Sequence, residues 1–332
     1  MSDDQKKRSP TISDVAREAG VSTSTVSRAL SRKIPVHPST MTRIEAAVAK
    51  LNYQPSVLAR GLKEGSSRTL GLIVPDITNP VFPAAALGAE SEALSQGYQV
   101  FLAHSHEDSV LESQLIQLML QRKVDGLLIA SAAEGFCREK WLQLPVPVIQ
   151  LIRKFDDQLP YAICDQDQIG QLAASHLAMR GYQRPVIITG NQALPLYRQR
   201  KDSFIRTLLR AGYSSDAITV LDGSQWRNEG LGMVQSVIAS KTDAVFASCD
   251  MQALGIARGL LAANIKIPGD VAIIGMDNLA LCHLMTPAIT SIRQPLKDLG
   301  KKAMSSLLSM IRDQSAETHI KVSCWLNPGE TT

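Results

Sequence analysis

Residues 11–30 read TISDVAREAGVSTSTVSRAL. Ile12, Val15, Ala16 and Ala19 repeat at the i, i+3, i+4, i+7 spacing that gives a helix one apolar face. Thr11 is suited to cap that helix, with Asp14 three residues on to complete a capping box. Gly20 can take the left-handed conformation that ends it, and Ser22 can cap a second helix, in which apolar residues resume at Val26 and Leu30. The stretch therefore predicts a tight helical hairpin with a thin core, and leaves Thr23, Ser24 and Arg28 outside that core.

A third helix follows VHPST, with Pro38 suited to its first position and Ile44, Ala47, Val48 and Leu51 on its apolar side. In NYQPSVLARGLKEGSSRT, Pro55 stops the preceding element, and Val57, Leu58, Ala59 and Leu62 suit one or two helical turns. Gly65, Ser66 and Ser67 read as a linker, which puts a domain boundary near residue 67.

Charge separates the same two parts. Residues 1–68 hold 12 Lys/Arg against 6 Asp/Glu, whereas the rest of the chain holds 23 against 25. A basic module on a neutral body is the layout of a polyanion-binding protein. A hairpin with a Gly-containing turn in such a segment fits a helix-turn-helix, which lays its second helix in the DNA major groove. Ser22 would present its hydroxyl and free amides to phosphate at a helix N-terminus. Thr23 and Ser24 are short enough to let the helix approach base edges, and Arg28 can fork onto guanine O6 and N7.

The chain has 332 residues, 45% of them hydrophobic, enough for about two to three domains with sizeable cores. From residue 69 short apolar runs alternate with helical patterns: TLGLIVP, YQVFLA, VDGLLIAS and PVIQLI, then PVIITG, AITVL, DAVFAS and VAIIGM. Between them helices are predicted over 84–96, 110–121, 139–142, 168–179, 199–211, 230–239 and 253–263. Apolar runs alternating with helices indicate parallel strands covered on both faces. Two successive series indicate two doubly wound α/β lobes, with a ligand crevice at the C-terminal strand ends. A last helix over 299–311 and a last strand, HIKVSCWL, are expected to complete one lobe each. Lobe 1 is then about 68–164 with 295–318, and lobe 2 about 165–294 with 319–332. The chain would cross between them three times.

No apolar run of 18 residues occurs, and MSDDQKKRSP has no apolar stretch after its basic residues. Neither a membrane span nor a secretion signal is therefore expected. Five scattered cysteines without CxxC spacing suggest reduced core thiols and a cytoplasmic location. His104 and His106, in AHSHED, form only half of a zinc ligand set and read as polar residues at a strand end. No metal or cofactor is expected.

The motifs TISDVAREAGVSTSTVSRAL, LNYQPSVLARGL and TLGLIVPDITNPVF together resemble those of the LacI/GalR family of bacterial transcription regulators, over nearly the whole chain. The resemblance implies a small all-α helix-turn-helix domain with a hinge helix, joined to an α/β core like that of periplasmic sugar-binding proteins. It assigns Thr23, Ser24 and Arg28 to base reading and Ser22, Thr25, Ser27 and Ser31 to phosphate. Tyr53 and Gln54 would add contacts near the hinge. Residues 56–63 would be the hinge helix; Ala59 and Leu62 belong to its DNA-binding set, and Leu62 would wedge into the minor groove. The family usually caps the third helix with Ser; here His37 stands there and can meet a phosphate through a weaker, pH-sensitive contact.

In the core the resemblance matches Arg200 with an effector-gripping arginine and Asp277 with a hydroxyl-binding carboxylate. It places Gln294 on a crossover strand, and Phe82 and Trp226 as apolar walls. A carboxylate common after the PVIQL strand is replaced by Ile152, followed by Arg153, and an amide common before Asp250 is replaced by Cys249. With one carboxylate lost and two guanidinium forks kept, the crevice would favour an anion, so a sugar acid or sugar phosphate is expected as effector; if Arg153 faces solvent instead, the alternative is a neutral sugar or a nucleobase. The function expected is a DNA-binding repressor of carbohydrate or sugar-acid genes, acting as a homodimer on near-palindromic double-stranded operator DNA under effector control.

A sugar-binding protein without a DNA role accounts for the core and leaves the basic segment idle. An α/β enzyme is disfavoured: no GxGxxG follows the first strand, and neither GxxxxGK[ST] nor GxSxG occurs.

Overall fold

The computed structural model describes residues 10–31, 35–54, 65–132, 135, 137–224 and 230–332, and of Ser31 only the backbone. Two compact units result, Met1–Ser67 and Arg68–Thr332.

In the first unit α1 (Ile12–Ala19), α2 (Thr23–Ser31) and α3 (Pro38–Leu51) enclose a core of Val15, Ala16, Ala19, Val26, Ala29, Ile44 and Ala47. Val48 and Leu51 pack at its margin, half-buried. Local signals fix the ends. The Asp14 carboxylate accepts the Thr11 N–H at 2.9 Å, and Thr11 Oγ1 accepts the Asp14 N–H at 3.4 Å. Gly20 sits at φ +64°, where a side chain is strained. Ser22 Oγ accepts the Thr25 N–H at 3.2 Å.

The second unit holds two six-stranded sheets. The first contains β1 (Thr69–Val74), β2 (Gln99–His104), β3 (Leu127–Ile129), β4 (Val148–Leu151), β5 (Tyr161–Cys164) and β11 (His319–Val322), all parallel, in the order β11-β5-β4-β3-β1-β2. The second contains β6 (Pro185–Thr189), β7 (Thr219–Asp222), β8 (Ala244–Phe246), β9 (Ala272–Met276), β10 (Thr290–Arg293) and β12 (Trp325–Asn327), in the order β12-β10-β9-β8-β6-β7. There β12 is antiparallel to β10. The first sheet's helices are α4 (Val81–Ser95), α5 (Ser109–Gln121), α6 (Arg138–Leu142) and, after β10, α12 (Leu296–Ile311). The second sheet's are α7 (Gln166–Met179), α8 (Pro195–Arg210), α9 (Val234–Ala239), α10 (Asp250–Ala262) and α11 (Ala280–Leu284).

Three differences from the sequence reading have physical causes. HIKVSCWL is not one strand: His319–Val322 pairs with β5, and Trp325–Asn327 pairs with β10. The third crossover therefore falls inside this stretch, in which polar and apolar residues alternate, and 319–322 joins the first sheet while 325–327 joins the second. YQVFLA is not covered on both faces. It becomes the edge strand β2, with Phe101 47% and Leu102 46% exposed. The helices expected at 84 and 199 start earlier, at Val81 and Pro195, because a proline is tolerated in a first helical turn. Those extra turns carry Phe82 and Tyr197.

None of the five cysteines forms a disulfide; Cys164, Cys282 and Cys324 are buried, and Cys137 and Cys249 only partly. No helix among the described residues is long and apolar enough to cross a membrane.

Candidate nucleic-acid interface and ligand crevice

The second helix of the small unit divides cleanly by face. Val26 and Ala29 are buried, whereas Ser22, Thr23, Ser24 and Arg28 are exposed and Thr25 and Ser27 half-buried. Ser22 Oγ lies 2.8 Å from both Ser24 Oγ and Thr25 Oγ1, which gathers three hydroxyls at the start of α2. Arg28 Nε donates to the Ser24 carbonyl at 3.4 Å, which holds the guanidinium along that face. His37 gives no side-chain cap to α3; its Nδ1 lies 2.8 Å from Ser39 Oγ. Gln54 is exposed, and Tyr53 packs against the core, half-buried. The Ser31 side chain and residues 56–63, with Ala59 and Leu62, lie outside the described residues, as does Trp226.

In each sheet of the large unit the strand order reverses beside its first strand, the kind of place where doubly wound sheets bind ligands. A cavity of 380 Å³ opens between the two sets of strand ends. The first lobe supplies Thr78, Asn79, Phe82, Ile152 and Arg153; the second supplies Gln166, Tyr197, Arg200, Ser248, Cys249, Met276 and Asp277; Gln294 comes from a crossover. Phe82, Arg153, Arg200, Cys249, Asp277 and Gln294, far apart in sequence, are thus brought together.

Arg200 is 2% exposed, and neutral acceptors hold it. Its Nη2 and Nε donate to Gln166 Oε1 at 2.6 and 3.2 Å, and Nη1 donates to the Ser248 carbonyl at 3.1 Å. Burial pulls its pKa below the usual arginine value, and the nearby Tyr197 and Asp277 oppose that shift. The depth of Arg200 follows from helix packing. A Cβ at Gly170 of α7 would stand 2.5 Å from the Arg200 carbonyl oxygen, so only glycine lets α8 come this close.

Asp277 is 8% exposed and sits at φ +111°, with Asn278 following at +56°. Two left-handed non-glycine residues in a row are strained, and strain of this kind collects at functional sites. Gln294 Nε2 donates to Asp277 Oδ1 at 2.7 Å. Asp250 clamps the same loop from below: its Oδ2 accepts the Leu279 N–H and its Oδ1 the Ser291 hydroxyl, both at 2.6 Å. Burial raises the Asp250 pKa, and these hydrogen bonds oppose the rise. Cys249 stands just before α10, lines the cavity and gives no side-chain cap.

Arg153 departs from expectation. It is 3% exposed, and its Nη1 and Nη2 donate to the two Glu107 oxygens at 2.7 and 2.6 Å. Nη1 also donates to the Ser131 carbonyl at 2.8 Å. The guanidinium expected to welcome an anion is therefore already engaged by a carboxylate in two-point contact. Ile152, at φ +65°, forms a tight turn in which the Leu151 carbonyl accepts the Arg153 N–H at 2.6 Å.

Residues 11–56 match the bacterial regulatory proteins of the lacI family, and residues 67–326 match the periplasmic binding proteins and sugar binding domain of LacI family. The chain belongs to the LacI family. It is 36% identical over 315 residues to the ribose operon repressor of Bacillus subtilis (strain 168), covering 94% of this chain and 95% of that one. A LacI family transcriptional regulator from Enterococcus faecium, solved with bound ribose, shares 28% identity at a TM-score of 0.72, over 80% of this chain and 98% of that one. The lac repressor dimer bound to operator and the anti-inducer ONPF superposes at a TM-score of 0.86 over 98% and 99% of the chains; at 23% identity it speaks for the fold.

Three cavity residues of this LacI-family chain, Gln166, Ser248 and Tyr197, and the Glu107 that stands behind Arg153 escaped the sequence reading. Gln166 and Ser248 each follow a strand end, at β5 and β8, and the rule for doubly wound sheets was enough to find them. Tyr197 and Glu107 carried no local signal.

Proposed function

We propose that this DNA-binding transcriptional repressor senses a neutral, polyhydroxylated small molecule of pentose size in the cavity between its lobes. The observation that carries the reading is the charge of the walls: Arg153 is paired with Glu107, and Arg200 shares the cavity with Asp277. A neutral pentose meets such a site without an uncompensated charge, whereas a sugar acid or sugar phosphate needs the fork that Glu107 occupies. Arg200, Asp277 and Gln294 would bond hydroxyls, and Phe82 would pack against the apolar face of the ring. Arg153 and Cys249 would shape the wall. The volume of 380 Å³ falls in the range of small-molecule sites. The ribose operon repressor relative and the ribose-bound regulator support this choice over an acid.

On DNA, Thr23, Ser24 and Arg28 would read bases, and Ser22, Thr25, Ser27 and Ser31 would contact phosphate. His37, Tyr53 and Gln54, with Ala59 and Leu62, would complete the contacts. One reading helix covers few base pairs, so a homodimer on a near-palindromic operator is the assembly that fits. The effector then changes operator affinity by its differential affinity for the two arrangements of the lobes.

Calorimetry with D-ribose against D-ribonate and ribose 5-phosphate tests the effector. Binding of D-ribose with at least tenfold preference over both acids is expected, and a preference for either acid sinks the neutral reading. A gel shift with the gene's upstream DNA tests the other site: Arg28→Ala should lose the specific band, at about 1–3 kcal/mol for one bidentate base contact.

A further inference from the structure

Glu107 lies on the short connection between β2 and α5, where His106 and Glu107 take φ of +53° and +60° in succession. Backbone bonds fix that connection: the Ser105 N–H donates to the Val74 carbonyl at 2.9 Å, the Glu107 N–H to the Pro75 carbonyl at 3.1 Å, and the Asp108 N–H to the Ser105 carbonyl at 2.8 Å. Two adjacent left-handed non-glycine residues persist only where the surroundings over-determine them, and here they aim one carboxylate at Arg153. Arg153 lines the cavity, and Glu107 does not. The negative charge therefore stands behind the wall and the positive charge in it.

We propose that Glu107 is a specificity-determining residue: by occupying both terminal nitrogens of Arg153 from behind, it keeps the first-lobe wall neutral and excludes anionic ligands. This rests on the cavity being the ligand site. Removing the negative charge at 107 would leave a buried guanidinium at the wall whose most favourable new partner is an anion. Glu112, the other carboxylate near Arg153, does not take over that role. Its two oxygens accept the Ser131 hydroxyl and the Ala132 N–H, each at 2.7 Å. Arg153 also faces the Phe82 ring, at 5.5 Å from the ring centre, which orients the guanidinium without neutralising it.

The experiment uses the full-length protein and inorganic phosphate as probe, titrated by calorimetry at fixed ionic strength into wild type, E107Q and the E107Q/R153M double variant. Glutamine keeps the shape of the side chain and removes its charge. The expected result is phosphate affinity raised at least tenfold in E107Q and returned to the wild-type level in the double variant. Affinity within twofold of wild type in E107Q overturns the proposal, as does a gain that persists without Arg153, which would place the anion elsewhere. E107A is the second variant, and thermal unfolding verifies that each protein is folded. If neither single variant folds, Glu107 serves the fold and the assignment to specificity is wrong. A parallel titration of wild type with D-ribose reads the underlying function separately, since its failure would leave the phosphate comparison intact.

Discussion

Arg153 and Arg200 stand on opposite walls of one cavity, both almost fully buried, and they are held by different chemistry. On the first lobe a carboxylate grips Arg153 at two points. On the second, an amide oxygen and a backbone carbonyl grip Arg200, so its charge is steered without being cancelled by those partners. The difference teaches that a guanidinium in a crevice is no measure of the charge a ligand will meet. What stands behind it decides.

The largest effect that would break this contrast is expected from Arg200→Met. It leaves Gln166 Oε1 and the Ser248 carbonyl without their donor in a desolvated site, and removes the cation proposed to bind a ligand hydroxyl. Loss of D-ribose affinity by a hundredfold or more, about 3 kcal/mol, should be seen by calorimetry, together with a lowered unfolding midpoint. A smaller effect should come from Gly170→Val. The new side chain meets backbone at the Arg200 carbonyl, so α7 and α8 must separate at a cost of about 1–3 kcal/mol. Urea unfolding measures that cost, and weakened D-ribose binding would show that Arg200 had moved with its helix.

The smallest expected effect sharpens the comparison of the lobes through pH. Burial raises Glu112 in the first lobe above the ordinary 4.5 and lowers His176 in the second below the ordinary 6.5; both shifts favour the neutral form. As pH rises from about 4.5 through the folded value of Glu112, the unfolded chain has already released a proton that the folded chain retains, so stability falls. As pH drops from about 6.5 through the folded value of His176, the unfolded chain takes up a proton that the folded chain refuses, so stability falls in that direction instead. Glu112→Gln should remove the first slope and His176→Asn the second, each read from unfolding midpoints across pH. Unchanged slopes in both variants would mean that other groups govern these limbs.

The helical hairpin was legible because its signals are local: the Thr11–Asp14 capping box, Gly20 and the 3.6-residue apolar spacing each act within one or two turns. The strands of both lobes were legible from their apolar runs. The edge position of β2 was not, because a run such as YQVFLA has the same composition whether one or two neighbours flank it. The division of HIKVSCWL between two sheets was hidden for a related reason, since an alternating polar and apolar stretch does not announce which sheet each half joins.

The amino-acid sequence by itself determined a second helix whose exposed face carries Thr23, Ser24 and Arg28, and two series of α/β units, with Asp277 and Gln294 just after strands and Arg200 on a helix. Only the tertiary structure decided the electrostatics of the cavity. Arg153 and Glu107 are 46 residues apart, on connections that follow strands separated in the sheet by β3 and β1. Helix caps and apolar faces arise between near neighbours in the chain. Charge compensation arises between whichever side chains the folded sheet brings within hydrogen-bond reach, which no local pattern encodes.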